Sequence, residues 1–144
     1  MHNPRRAFLA ALPALVAAGA LAAEKNYLPS KVYEFSQLPV HHGKTNTSRA
    51  VLDGLTHEDC RIEVHESDLA PGAMPHAPHH HSHEEMFLIR QGTLEVTISG
   101  KSSTAGPGSV AFISSNDVHG IRNVGGDHAQ YFVLAIHRPS DKES

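Results

Sequence analysis

A single cysteine, Cys60, stands in 144 residues, and one thiol cannot build an internal disulfide framework. It reads as a small apolar residue at the start of a strand. Lysines and arginines form no cluster, which argues against a nucleic-acid partner. Neither a basic cluster nor a glycine-rich anion loop lies near the histidines described below, which argues against phosphate chemistry. No repeat at a fixed period is present, so an array built from stacked units is excluded. The longest apolar run, Ala7 to Ala23, is broken by Pro13 and Gly19 and falls short of the about 20 residues a membrane-spanning helix needs. Beyond that run no stretch keeps a helical apolar stripe for ten residues.

What is present begins with an N-terminal segment. Residues 1–23 combine a basic start, an apolar middle and small residues at the end, the layout of a signal peptide. Arg5-Arg6 followed by Ala7-Phe8-Leu9 resembles a twin-arginine export signal; an ordinary secretory signal or an uncleaved anchor is the alternative. The expectation is a periplasmic or otherwise exported protein with no stable membrane span after processing. Without residues 1–23 the balance becomes 10 basic to 15 acidic residues. Residues 24–48 read as a polar lead-in, with a possible strand at Lys31–Phe35 and a loop at His41–Ser48. Residues 49–144 read as one domain.

That domain is a series of short β-like runs: Arg49–Leu52, Cys60–His65, Met86–Arg90, Thr93–Ile98, Ser109–Ile113, His119–Asn123 and Ala129–His137. Turn chemistry separates most of them, as in Gln91-Gly92, Ser99-Gly100 and Gly106-Pro107-Gly108. In Thr93–Ile98 the alternation is clear, with Leu94, Val96 and Ile98 on one side. The fold class is all-β, an antiparallel sandwich or barrel. The last run is apolar almost throughout, which predicts cover on both faces, by core on one and by a partner subunit on the other.

The chemistry concentrates in GAMPHAPHHHSHEEMFLIRQG, residues 72–92. His79, His81 and Glu85 are offset by two and four residues, and even offsets share one face of an extended strand. His119 supplies a fourth donor 34 residues after Glu85. Three imidazoles and a carboxylate suit Mn, Fe, Co, Ni or Zn, and four protein ligands leave an octahedral ion two open positions. Loading is expected to weaken below about pH 6.5, because a histidine must lose its proton to bind. The competing reading is a surface tract, His79 to His83, that picks up metals loosely. By opposite parity His80 faces away from the metal; His83 shares the ligands' parity but lies between them and Glu85, so it reads as a residue behind the ligands or at the rim; Glu84 faces solvent, and His76 and His41-His42 read as solvated loop residues.

These spacings resemble the two motifs of the cupin superfamily. His79, His81, Glu85 and Gly92 fill the first, and His119 with Asn123 fills the end of the second, after the Gly106-Pro107-Gly108 turn. The chain departs in the spacing from Gly72 to His79 and in Ser115, where a proline is usual; both changes fall in turns. The resemblance covers residues 50 to 137. It implies a single cupin jelly-roll β-barrel with the metal inside, commonly a homodimer, in a superfamily that includes dioxygenases, decarboxylases, isomerases, lyases and an aminohydrolase.

Glu63 and His65 are the candidate acid–base residues. They share one face of a strand with Arg61, opposite Ile62 and Val64, and the favoured expectation turns that polar face outward. Phe87, Phe132, Tyr131 and Gln130 are candidates for a pocket wall, and Asn123 for holding the turn after His119. Together these features point to an exported metal-dependent enzyme of oxygenase, isomerase, lyase or hydrolase type. The ligand would be a small polar carboxylate or hydroxylated metabolite. Mn or Fe(II) is preferred, with Zn or Ni possible, because a protein folded before export would load its metal where copper is scarce. A non-catalytic module that binds a small molecule through the same metal is the alternative.

Overall fold

The computed structural model describes residue 25 and residues 27–138; the signal-peptide segment, residues 1–23, lies outside the described residues. A short 3₁₀ turn, Phe35–Gln37, precedes nine strands: β1 Val40–His42, β2 Asn46–Leu55, β3 Arg61–Leu69, β4 Glu84–Gln91, β5 Leu94–Ile98, β6 Lys101–Ala105, β7 Val110–Ile113, β8 His119–Asn123 and β9 Ala129–His137. A six-stranded sheet runs β1-β2-β3-β9-β4-β7 and a three-stranded sheet runs β6-β5-β8. All seven pairings within these sheets are antiparallel, and no α-helix occurs among the described residues. The protein is all-β, two packed layers of the jelly-roll kind.

Alternation builds the core. Leu94 and Val96 on β5 meet Phe87 and Ile89 on β4, Tyr131 and Val133 on β9, and Ile113 and Ile121, all less than 5% exposed. Each such side chain contributes about 1.5–3 kcal/mol by leaving water. β5 and β6 join through Ser99-Gly100, with φ of 47° and 80°, the left-handed pair that a two-residue hairpin turn requires. Gly92 sits at φ +82°, and a Cβ there would stand 2.6 Å from the Cα of Ala129, so β4 leaves its sheet where only glycine fits.

Two local readings change. Lys31–Phe35 is not a strand. The chain instead turns at Phe35, whose ring lies under the guanidinium groups of Arg49 and Arg90, 4.6 and 4.7 Å from its centroid. Beneath this cap Arg49 holds the fully buried carboxylate of Glu66 at 2.9 Å. Within His41–Ser48, read as a loop, β1 and the start of β2 instead form a hairpin (Val40↔Arg49, His42↔Thr47). The outer side of the six-stranded sheet also leaves Leu88, Val110 and Phe112 exposed, at 38%, 55% and 49%.

Candidate metal centre

The predicted ligands come from separate elements: His79, His81 and His119 gather together, and Glu85 lies against His81 and His119. Glu85 is on β4 and His119 opens β8, in opposite sheets. His79 and His81 precede β4, and this corrects the expectation that 79, 81 and 85 share a face of one strand: Ser82 and His83 form a bend, and the strand starts at Glu84. Convergence comes from backbone pairing instead. His79 N–H donates to the His119 carbonyl at 3.0 Å, and His119 N–H donates back to the His79 carbonyl at 2.8 Å. The Asn116 N–H donates to the His81 carbonyl at 2.8 Å, and the Ser115 hydroxyl to the Ser82 carbonyl at 2.6 Å.

Within this frame the nitrogens of His79, His81 and His119 lie within 4.8 Å of one another. Glu85 Oε2 is 3.2 Å from His119 Nε2 and 3.5 Å from His81 Nε2. His81 Nδ1 donates to the His83 carbonyl and His119 Nδ1 to the Asp117 carbonyl, each at 2.9 Å. A carbonyl only accepts, so each ring in its neutral form carries its proton on Nδ1 and a lone pair on Nε2. Both Nε2 atoms are buried without a hydrogen-bond partner. Two lone pairs aimed at a carboxylate oxygen repel unless a cation lies among them, and this donor set fits a divalent transition metal. Burial, reinforced by His76, His119, His81 and His80, pushes His79 down to about 4, so at neutral pH its ring is uncharged and one nitrogen is open to a metal.

A cavity of about 390 Å³ adjoins the cluster, reached by Glu85 and His119. Glu63 and His65 line it, which overturns the favoured outward orientation. The reason is register. Glu63 and Glu85 both pair with Ala135 of β9, one from each side, so the three residues form one cross-strand row facing the interior. His65 Nδ1 lies 3.6 Å from Glu63 Oε1, longer than a direct hydrogen bond. Arg61, on the same face, forms a two-point pair with Asp53 at 2.8 Å.

Of the predicted wall residues, Phe87 and Tyr131 line the cavity. Phe132 and Gln130 do not; Gln130 Nε2 donates to Asp68 Oδ2 at 2.8 Å. Burial raises the Tyr131 hydroxyl well above the ordinary phenol range, so it is a neutral donor. His41 and His76 remain exposed, as expected, yet both also border the cavity. Sequence reasoning missed Asn46, Ser48 and Ser67, which complete a polar wall from β2 and β3. Parity with Glu63 and His65 would have found Ser67 once the inward face was known. Asn123 is fully buried and donates to the carbonyls of Leu69 and Asp127 while accepting from Gly125 N–H, which ties β8 to the turn before β9.

Residues 65–136 match the family model described as a cupin domain, Cupin_2. An auxin-binding protein, T85, from Nicotiana tabacum is 32% identical over 123 residues, covering 77% of this chain. The match spans 65% of that relative, less than two thirds of its length. Among solved structures, KdgF from Halomonas sp. superposes with a TM-score of 0.65 at 16% identity, over 76% of this chain and 96% of that one. A predicted oxalate decarboxylase from Thermotoga maritima gives 0.62 at 20%, over 75% and 100%. At such identities the likeness concerns the fold.

Proposed function

The chain belongs to the cupin family, and from that premise we propose that it is a metal-dependent enzyme acting on a small polar carboxylate or hydroxylated metabolite. His79, His81, Glu85 and His119 would hold one divalent ion, Mn or Fe(II) by preference, with Zn or Ni possible. The ion would supply Lewis acidity to ligand oxygens and leave open coordination positions for them. The observation that carries the enzyme reading is the Glu63–His65 pair lining the same cavity as Glu85 and His119. Glu63 stabilises the imidazole when it is charged, so His65 takes a proton from bound substrate and returns it. Asn46, Ser48 and Ser67 offer hydrogen bonds to hydroxyl or carboxylate groups. Phe87, Ile121 and Val133 add apolar surface to the same cavity.

The test is turnover or oxygen uptake by metal-loaded protein with a panel of small carboxylates, enols and diols. His65→Ala and Glu63→Gln should retain the metal and lose turnover. Steady binding without turnover across the panel would favour the second reading, a non-catalytic module that binds a small molecule through the metal. The auxin-binding name of the tobacco relative supports that alternative.

A second copy of the chain would cover the outer face around Leu88, Val110 and Phe112, giving a homodimer. Export through a twin-arginine-like signal would put the protein in the periplasm with its metal loaded beforehand; metal analysis of protein from the native periplasm tests this, and full copper occupancy would contradict it.

A further inference from the structure

His83 lies among the donors without belonging to the motif. A nitrogen of His83, one of His81 and a Glu85 oxygen fall within 4.8 Å of one another, close enough to suggest a second ligand set. Ring geometry argues otherwise. The His81 and His83 imidazoles stack face to face, centroids 3.6 Å apart and planes within 7° of parallel. An ion bound through an imidazole nitrogen lies near the plane of that ring, at about 2.1 Å from the nitrogen. It cannot lie in two parallel planes one ring thickness apart. His83 is therefore no ligand to an ion that His81 binds.

Its contacts have a different sense. The His83 carbonyl accepts the Nδ1–H of His81 at 2.9 Å, while its ring covers one face of the same imidazole. The His83 ring also meets His137, centroids 4.3 Å apart and planes tilted by 36°. β9 thus supports His83, and His83 supports His81, which arrives from a bent segment with no strand of its own to fix it. We infer that His83 is a positioning residue: its ring, backed by His137, holds His81 in the orientation that brings Nε2 to the metal. This rests on the proposed four-residue metal set. Outer contacts of this type change metal affinity by about 10–100-fold when removed.

Cobalt(II) titration of the full chain tests it, with circular dichroism to follow the fold. Wild-type protein should bind one ion. His83→Ala should bind about tenfold more weakly, and His83→Phe, which keeps a flat ring and has no nitrogen, should recover to within about threefold of wild type. At saturation all three should give the same visible cobalt spectrum, because the ligand set is unchanged. If His83→Phe binds as weakly as His83→Ala, or its cobalt bands shift, a nitrogen is needed and the inference fails. Wild-type affinity in His83→Ala would overturn it too. Failure of the wild-type chain to bind cobalt at all would instead sink the metal reading on which the inference rests.

Discussion

His79 and His119 exchange both of their backbone hydrogen bonds, at 3.0 and 2.8 Å, across 40 residues of sequence. The backbones of two residues of the proposed metal set are thus held together by main chain, independently of any side-chain rotamer. Removing one imidazole leaves this pairing intact and takes away only a donor. His119→Ala and Glu85→Ala should therefore fold, yet lose more than about 100-fold in metal affinity, while His80→Ala stays close to wild type. Metal content after dialysis against a weak chelator distinguishes the three; full retention in His119→Ala contradicts the assigned set.

Gly92 and Gly100 share a positive φ, +82° and +80°, but only Gly92 has backbone in the way. Gly92→Ala must push Ala129 and should cost about 2–4 kcal/mol. Gly100→Ala carries only the left-handed strain, about 1 kcal/mol. Thermal unfolding of the two metal-free variants reads the difference directly, and equal losses would mean that β9 yields easily at Ala129.

Acid should weaken the metal-free protein. His79 is held down to about 4 by burial and by its neighbouring imidazoles, against about 6.5 in an unfolded chain. Between these values the unfolded state binds more protons, so stability falls as pH drops from about 6.5 to about 4 and levels off below. Solvent screening limits the effect to about 1 kcal/mol. Asp53 and Asp68, held low by Arg61 and by Gln130 with His128 respectively, add losses of the same sign as pH falls through their own range. A melting temperature that rises on acidification from pH 6.5 to 4 would be the contrary result.

Phe112 and Val110 are about half exposed on the outer face of β7, next to Met86 and Leu88 of β4 in register. Phe112→Glu should convert a dimer to a monomer in sedimentation, with little change in unfolding temperature of the isolated chain. A wild-type chain that sediments as a monomer at micromolar concentration would remove the premise.

Much of this was legible from residue order, for identifiable reasons. Strands with apolar alternation, such as Leu94–Ile98, announce themselves. β6, Lys101–Ala105, offers only Ala105 to the interior and depends on pairing with β5, so no periodicity marks it. The donors His79, His81, Glu85 and His119 could be picked by spacing, although the assumed mechanism, one straight strand, was not the one used. Glu63 and His65 could be named but not oriented. A polar face in a sheet normally meets water, and only the register with β9 turns this one toward the cavity. Asn46 and Ser48 carried no signal, because β1 and β2 begin in a stretch of turn-forming residues.

Glu85 belongs to one layer of the sandwich and His119 to the other. An ion shared between them would act as a rivet through the two layers, fastening sheets that otherwise adhere by apolar contact and by hydrogen bonds such as that from Asn123 to the Leu69 carbonyl. Occupancy and mechanical integrity of the domain would then rise together, by an amount set by free metal concentration relative to its dissociation constant.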